Sequence, residues 1–376
     1  MRILFSCHGA YGHFHPIAPL ALAAQQRGHD VIVATGPDLV EWIAACGLRA
    51  APAGLSSADF PARLDALPVE DRALAMFHRF STIAVPPTLA GLLDLTRSWH
   101  PDVVVHEEGE YAAPLFAALQ QVPCITHSWP APARPGEERK LYRTLLAPIW
   151  AAHGLAGEPR TSGDIYLDSC PPAYQSDEIE SIPGVVPARP MLFDGPPASA
   201  PPWLASLPRP CAYVTFGTVA AFSRPEILRS TVEAIESLVA AVVLTTGPNP
   251  PETVRMRSPR VHVVDYVAQS QVLPNGDLVV SHGGAGTTAG ALAHGLPHLV
   301  MPGPAPSQQR SAMRTEAIGL GLFLAQDADA NGIQAAAQRL LSDPSYRAAG
   351  AAARTGLERL PSVEECVRLV ERLGGG

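Results

Sequence analysis

The segment DLVVSHGGAGTTAGALAHGLPHLVMPG, residues 277–303, joins a short apolar run, a glycine-rich turn and a helix-forming run in that order. This order predicts a strand followed by a helix, the unit from which parallel sheets are built. Gly283, Gly284 and Gly286 allow the backbone of the turn to approach a ligand closely. Thr287 stands where the helix is expected to begin.

The start of this predicted helix is suited to bind a phosphate, because its free N–H groups and its dipole both favour an anion. His282, at the end of the strand, can donate a hydrogen bond to the same anion. The turn lacks the Gly-Lys-Ser/Thr ending of the P-loop and does not match G-x-G-x-x-G. The segment therefore predicts a phosphate site of another kind. A turn whose glycines only relieve crowding is the alternative.

Strands and helices alternate in both halves of the chain. Predicted strands cover residues 2–7, 30–36, 101–107, 122–128, 211–217, 240–247, 261–266 and 277–284. Predicted helices cover residues 16–29, with Pro16 in the first turn, 37–47, 111–121, 224–238 and 289–295. Continuous Val/Ile runs separated by helices indicate parallel sheets covered on both faces. Residues 55–99 and 133–155 are interpreted as helical excursions over the open end of the first sheet.

Length and proline content predict the domain organisation. A chain of 376 residues is longer than one hydrophobic core usually serves. Many of its 39 prolines lie in residues 182–210, which favours an extended connector. We predict a first domain over residues 1–190, a linker over 191–209, a second domain over 210–360, and an amphipathic C-terminal helix with a frayed glycine tail over 361–376. The predicted fold class is α/β, with two doubly wound domains facing a central cleft.

Composition excludes several classes of protein. The net charge of −8, without a cluster of Lys or Arg, argues against nucleic-acid binding. No segment has the roughly 18 uncharged apolar residues that span a bilayer, and no signal peptide is recognisable. Six scattered cysteines without C-x-x-C spacing indicate reduced thiols rather than a zinc site or disulfides. The sequence therefore predicts a cytoplasmic protein.

Four motifs, taken in order, resemble a known family. They are GHFHP at 12–16, VTFGT at 214–218, the block at 261–303, and a weaker SQQRSA at 307–312. Together they resemble the family 1 nucleotide-sugar-dependent glycosyltransferases of GT-B fold, especially the bacterial branch that attaches deoxysugars to polyketides and other natural products. The resemblance implies inverting transfer from a nucleoside-diphosphate sugar to an apolar acceptor, without a metal or another cofactor. It does not identify the sugar, the acceptor or the type of glycosidic bond. The oligomeric state also remains open, with a homodimer as one possibility.

The resemblance implies a donor site in the second domain, formed by Thr218, Tyr266, Val267, His282, Gly283, Gly284, Gly286, Thr287, Ser307 and Gln308. In the family the histidine and the turn hold the diphosphate, and Thr218 approaches it. Tyr266 lies beside the base, Val267 meets its edge through the backbone, and Gln308 touches sugar hydroxyls. Ser307 departs from the pattern, because the family often has Asp or Glu there. Loss of that acceptor favours a deoxysugar on thymidine diphosphate (TDP) over uridine diphosphate.

His13 occupies the family's catalytic position, where it would take the proton from the attacking acceptor hydroxyl. It is expected just ahead of a helix beginning near Pro16, where the positive helix end would keep the imidazole neutral. Such a base needs a carboxylate partner to hold its tautomer. In the family an aspartate is this partner; Glu107, one methylene longer, stands at its position, although Glu108 and Glu110 are alternatives.

Other arrangements of these histidines are less consistent with the sequence. His15 is expected to flank the helix start, and His8 to line the pocket or satisfy a turn. A metal site from His8, His13 and His15 would lack helical i, i+4 spacing and a nearby carboxylate. The DAD sequence at 327–329 follows a strand-like segment at 321–326 but no phosphate loop, and it is interpreted as a solvated turn. No metal site is predicted.

Aromatic residues in the first half are candidates for the acceptor pocket. The residues assigned to acceptor binding are His8, Tyr11, Phe60, Phe77 and Trp129. A broad apolar pocket would suit an aromatic or macrocyclic acceptor. Ordinary packing between helices and sheet is the alternative for each aromatic residue.

Three other functions share this architecture. A nicotinamide oxidoreductase would require G-x-G-x-x-G after the first strand, which the sequence lacks. A non-catalytic helper or binding protein remains open because of Ser307 and Glu107, although His13 and the intact turn argue against it. A nucleotide-sugar epimerase or hydrolase would not need an apolar acceptor pocket.

Overall fold

The computed structural model describes residues 1–219 and 222–375. Within these ranges the strands form two sheets, one of seven strands and one of six, and every strand pair is parallel. Both sheets carry helices on their faces. The predicted α/β fold with two doubly wound sheets is therefore confirmed.

The first sheet has the order β3-β2-β1-β4-β5-β6-β7. Its strands are β1 (Arg2–Ser6), β2 (Asp30–Thr35), β3 (Arg49–Pro52), β4 (Val103–Glu107), β5 (Cys124–His127), β6 (Ile165–Asp168) and β7 (Val185–Pro187). The order of the strands reverses between β1 and β4, which pair with Ser6 opposite His106. A crevice forms where such a reversal occurs, beyond the carboxyl ends of the two strands.

The second sheet has the order β10-β9-β8-β11-β12-β13. Its strands are β8 (Cys211–Thr215), β9 (Ala241–Thr245), β10 (Val261–Val264), β11 (Leu278–Ser281), β12 (His298–Val300) and β13 (Gly321–Phe323). Here the order reverses between β8 and β11, and Ser281 lies opposite Thr215. The two turns that follow β8 and β11 are therefore neighbours.

The helices are grouped by the sheet with which they alternate along the chain. With the first sheet these are α1 (Tyr11–Phe14), α2 (Ala18–Gln26), α3 (Val40–Ala45), α4 (Phe60–Asp65), α5 (Ala75–His78), α6 (Val85–Leu95), α7 (Ala112–Gln120) and α8 (Gly136–Ala152). With the second they are α9 (Pro225–Ile235), α10 (Gln269–Val272), α11 (Ala285–Ala293), α12 (Pro306–Ala317), α13 (Ala330–Ser342), α14 (Pro344–Glu358) and, after them, α15 (Val363–Gly374). None of the helices in the described ranges is long and apolar enough to cross a membrane.

Four strands escaped the sequence analysis, namely β3, β6, β7 and β12. Each has only three or four residues, too few for a recognisable period. β7 lies within the proline-rich stretch that was predicted to be a connector, and it ends at Pro187. Proline is tolerated there because β7 is the edge strand of its sheet.

The C-terminal helix α15 returns to the first sheet rather than staying with the second. Cys366, Val367 and Val370 are buried in the same core as Ile3 and Val105. The helix is amphipathic, as predicted, and begins with a capping box. Gly374 belongs to the helix and not to a frayed tail, and the last tail residue, position 376, lies outside the described residues.

Contacts between the two halves join the carboxyl ends of the sheets. Arg310 of α12 forms an ion pair of 2.7 Å with Glu138 of α8. The hydroxyl of Tyr174, which follows β6, donates a hydrogen bond of 2.7 Å to the carbonyl of Ser311. Because parallel strands end at one edge of each sheet, these contacts bring the two edges together.

Candidate active site

His13 and Glu107 form a buried pair at the reversal point of the first sheet. His13 Nδ1 lies 2.8 Å from Glu107 Oε1. The His13 side chain is 18% exposed, whereas that of Glu107 is completely buried. A carboxylate can only accept, so Nδ1 is the nitrogen that carries a hydrogen in this contact. In a neutral imidazole so oriented, Nε2 is the nitrogen with the free lone pair.

Glu107 is ionised despite its burial. Burial alone would raise its pKa, but the charge of His13, the hydrogen bond from its imidazole and the N–H of Gly109 hold the pKa of Glu107 at about 2. That N–H donates to Glu107 Oε2 over 2.6 Å. Each carboxylate oxygen therefore has one donor, and the group is locked in place.

The other two carboxylates of this segment have different partners. Glu108 accepts a hydrogen bond of 2.6 Å from the hydroxyl of Tyr166. Glu110 accepts from the hydroxyl of Ser6 at 2.8 Å and from two backbone N–H groups at the start of α7. Burial raises the pKa of Glu110 to about 7. Of the three candidate partners, Glu107 is the one in contact with His13.

The predicted helix geometry around His13 is wrong. His13 lies in the last turn of α1, α2 begins at Ala18, and Pro16 lies in the turn between them. The reason is that Ala10, in extended conformation, starts a separate four-residue helix before the proline. The group that the structure places in contact with the His13 imidazole is the carboxylate of Glu107.

Three rings surround the imidazole of His13. The ring centroids of His8, Trp129 and Phe80 lie 5.3, 5.1 and 5.6 Å from that of His13. His8 also approaches the carbonyl oxygen of Gly109 through Nε2 at 2.9 Å. Burial lowers the pKa of His8 to about 4, so this second imidazole is neutral at pH 7. Phe80, in a π-helical turn over Arg79–Ile83, was not assigned to the site from the sequence.

His282 lies between two glycines at the reversal point of the second sheet. A Cβ atom at Gly217 or at Gly284 would lie 2.7 Å from His282 Cε1, and Gly217 has a φ of +79°. The ring is 8% exposed and stacks on Phe222 at 5.7 Å. Burial lowers the pKa of His282 to about 4, so the imidazole is neutral. These two glycines make room for the histidine as well as for any ligand.

The remaining glycines of the turn differ in their surroundings. A Cβ at Gly283, where φ is +79°, would lie 2.8 Å from Val300 Cγ1, whereas nothing lies within 4 Å of one at Gly286. Gly284 is the N-cap of α11, in extended conformation. The first-turn N–H groups of a nine-residue helix thus point into an open turn, as an anion site requires.

Two glutamines connect the surrounding segments to this turn. Gln269 of α10 donates to Thr287 Oγ1 at 2.9 Å, a contact that the sequence analysis missed. Gln308 is buried, and its Oε1 accepts from the N–H of Gly303 at 2.9 Å. Its amide nitrogen remains the polar end that can reach a ligand. Ser307, in the first turn of α12, is half-buried, and Thr218 is exposed.

Tyr266 and Val267 border a cavity of about 380 Å³ between the linker and α10. Tyr266 is 44% exposed and its hydroxyl donates to the carbonyl of Asp194 over 2.6 Å. Val267 is buried. None of the residues lining this cavity belongs to the glycine-rich turn, so the cavity adjoins the predicted base position and not the phosphate position.

Comparison with known proteins identifies the family. Models of the erythromycin biosynthesis protein CIII-like N-terminal and C-terminal domains match residues 56–212 and 229–373. The L-demethylnoviosyl transferase of Streptomyces niveus is 31% identical, over 93% of this chain and 92% of its own length. The chain belongs to this family of glycosyltransferases.

Further similarities extend over the whole glycosyltransferase. The aclacinomycin-T 2-deoxy-L-fucose transferase of Streptomyces galilaeus is 27% identical, over 99% of this chain and 96% of its own length. The crystal structure of the glycosyltransferase VinC in complex with dTDP superposes with a TM-score of 0.83 at 26% identity, covering all of both chains. The resemblance inferred from the motifs, and the GT-B fold it implied, are confirmed.

The predicted acceptor residues of the glycosyltransferase occupy different surroundings. His8 and Trp129 lie against the imidazole of His13. Phe60 is 7% exposed and packs in a small core under the guanidinium of Arg79, 3.8 Å from its ring centroid. Phe77 packs on the ring of Tyr142 at 5.1 Å. Packing, the alternative interpretation, fits these two phenylalanines better.

Tyr11 and His15 of the glycosyltransferase pack on other aromatic rings. Tyr11 packs on Trp42 at 4.9 Å, and His15 lies 5.2 Å from Phe193. His15 is the C-cap of α1 and lies two residues before Ile17, the N-cap of α2, so it flanks a helix start. Within residues 1–219 and 222–375, no group of three or more His, Cys, Asp or Glu side chains is arranged to hold a metal ion.

Proposed function

We propose that this glycosyltransferase transfers a deoxysugar from a TDP-sugar to an apolar natural-product acceptor, with inversion at the anomeric carbon and His13 as general base. The observation that carries the proposal is the 2.8 Å contact between His13 Nδ1 and the buried carboxylate of Glu107. A carboxylate in this place selects the tautomer in which Nε2 is the base.

In the proposed reaction, Nε2 of His13 takes the proton of the acceptor hydroxyl while the hydroxyl oxygen attacks the anomeric carbon. The bond from that carbon to the phosphate oxygen breaks, and TDP leaves with the electron pair. Glu107 stabilises the imidazolium that forms. Attack opposite to the leaving group inverts the anomeric configuration.

The second domain would stabilise the charge on the leaving group. The N-terminus of α11 offers free N–H groups, and neutral His282 offers a hydrogen bond rather than a charge. Thr287 and Thr218 would complete the phosphate contacts, with Tyr266 and Val267 at the base. These hydrogen-bond donors would stabilise the negative charge of the leaving diphosphate. We therefore propose a reaction that requires no metal.

The choice of donor rests on the relatives and on one residue. VinC was crystallised with dTDP, and a relative is named for 2-deoxy-L-fucose. Ser307, beside Gln308 at the start of α12, offers no carboxylate to a sugar hydroxyl. A sugar with fewer hydroxyls loses least from that absence.

The test combines one variant with a substrate panel. His13→Ala should retain dTDP affinity in calorimetry but lose at least about a hundredfold in kcat, as expected for loss of a general base. His100→Ala, an exposed histidine, is the control. Mass spectrometry of products from TDP- and UDP-sugars identifies the donor, and NMR of the product reports the anomeric configuration. An unchanged kcat in His13→Ala, or a retained configuration, would exclude the proposed mechanism.

A further inference from the structure

Arg134, between β5 and α8, is a cation that the proposed mechanism does not use. Its side chain is only 12% exposed, and its Nε lies 3.5 Å from Glu108 Oε1. Its Nη1 donates to the hydroxyl of Tyr142 at 3.2 Å. A small cavity of about 40 Å³, which Arg143 also lines, lies beside it.

The guanidinium of Arg134 stacks on Trp129. Its central carbon lies 4.8 Å from the centroid of the indole, and 5.3 Å from the ring of Tyr142 on another side. A planar guanidinium packs on an aromatic face in a way that an ammonium group cannot reproduce. Arg134 therefore supports the ring of Trp129 by shape as well as by charge.

Trp129 in turn contacts the proposed base. Its ring lies edge-on to His13, with the centroids 5.1 Å apart at an interplanar angle of 83°. A Cβ at Gly109 would lie 2.8 Å from Trp129 Cζ2, so the backbone there touches the indole. The indole Nε1 is buried and, in the described part of the chain, has no hydrogen-bond partner. Packing alone therefore sets the position of this ring.

We propose that Arg134 is a positioning residue: it holds Trp129 against His13 and so keeps the imidazole aligned for proton transfer. This inference rests on the proposed role of His13 as the base. Displacement of a reacting group by about 1 Å can cost on the order of a hundredfold in rate. Arg134 and its stack belong to the first domain, so donor binding in the second domain should not change.

The primary variant is Arg134→Lys, which keeps a positive charge beside Glu108 but loses the planar stack. We expect kcat to fall about tenfold to a hundredfold, with an unchanged KM for the TDP-sugar. Arg143→Lys makes the same substitution on the wall of the same cavity, at an arginine paired with Glu158, and should keep wild-type kcat. Arg134→Met is a second variant, because it also removes the charge.

A double-mutant cycle separates positioning from a general structural role. In a Trp129→Ala background, Arg134→Lys should have no further effect on kcat, because the ring through which it acts is gone. Equal losses in the two backgrounds, or wild-type kcat in Arg134→Lys, would overturn the inference. If His13→Ala itself keeps its activity, the proposed function fails instead, so the two failures are distinguishable.

Discussion

Replacing Glu107 with glutamine tests the pairing at the centre of the proposed mechanism. Glu107 accepts from His13 Nδ1 through one oxygen and from the N–H of Gly109 through the other. An amide has one accepting oxygen and one NH₂ group. In Glu107→Gln, the NH₂ group must therefore face either His13 Nδ1 or the N–H of Gly109. If it faces His13, it favours the tautomer that carries its hydrogen on Nε2. If it faces Gly109, the two donors repel each other and the side chain that positions the imidazole shifts.

The structure sets the size of the expected effect. The pKa of Glu107 is about 2, compared with an ordinary value of 4.5, because the contacts with His13 and Gly109 outweigh burial. At about 1.4 kcal/mol for each pH unit, this difference corresponds to about 3 kcal/mol. If that stabilisation applies to the imidazolium of the transition state, kcat should fall by a factor on the order of a hundred.

The assay is steady-state turnover with saturating TDP-sugar, together with dTDP affinity from calorimetry. Glu107→Gln should lower kcat and leave dTDP affinity unchanged, because the proposed donor site lies in the other domain. Glu110→Gln is a matched control: it is equally buried and on the same segment, but it contacts Ser6 and the start of α7 instead of His13. A folded Glu107→Gln with kcat within threefold of wild type would refute the reasoning. So would an equal loss in Glu110→Gln.

Three further predictions concern the donor site and stability. His282→Ala should weaken dTDP binding about tenfold to a hundredfold, the value of a hydrogen bond to a charged group, whereas His294→Ala at the other end of α11 should not weaken it. If calorimetry gives His282→Ala the dTDP affinity of the wild type, the phosphate site is misplaced. Ser307→Asp should raise kcat/KM for a fully hydroxylated TDP-hexose, relative to kcat/KM for a TDP-deoxysugar, about tenfold, and Ser307→Ala should leave this ratio near the wild-type value. If the ratio does not rise in Ser307→Asp, Ser307 has no part in donor selection. Because burial raises the pKa of Glu110 to about 7, its ionisation opposes folding, and stability is lost as the pH rises from about 4.5 through 7. Glu110→Gln should therefore gain about 3 kcal/mol relative to wild type between pH 4.5 and pH 8 in denaturant titrations; a constant difference would contradict the assignment.

The long apolar runs were readable because they are buried on both faces. β1, β2, β4, β8, β9 and β11 all fall within predicted strands, since a continuous run of Val and Ile needs no knowledge of its neighbours. β3 and β12 were missed because three or four residues do not reveal a period. The short helix α1 was missed for a similar reason, so the sequence placed His13 in a loop before a helix starting near Pro16 and not within a helix of its own.

The site was only partly readable. The motifs pointed to His13 and to a group of three acids, but the choice among Glu107, Glu108 and Glu110 depends on where each side chain points after β4. The stack of Arg134 on Trp129 carries no signal in the sequence, since it depends on a contact between the loop after β5 and the imidazole.

By itself, the sequence determined the class of fold and the alternation of strands and helices, and it predicted an anion site at the turn at 282–287. These are local properties of burial, backbone freedom and helix ends. Only the tertiary structure decided that β1 lies beside β4, and β8 beside β11, although many residues separate them along the chain. That pairing brings His13 to Glu107 and Gly217 to His282, because strand partners are chosen by packing of the whole sheet and not by any stretch of residues within it.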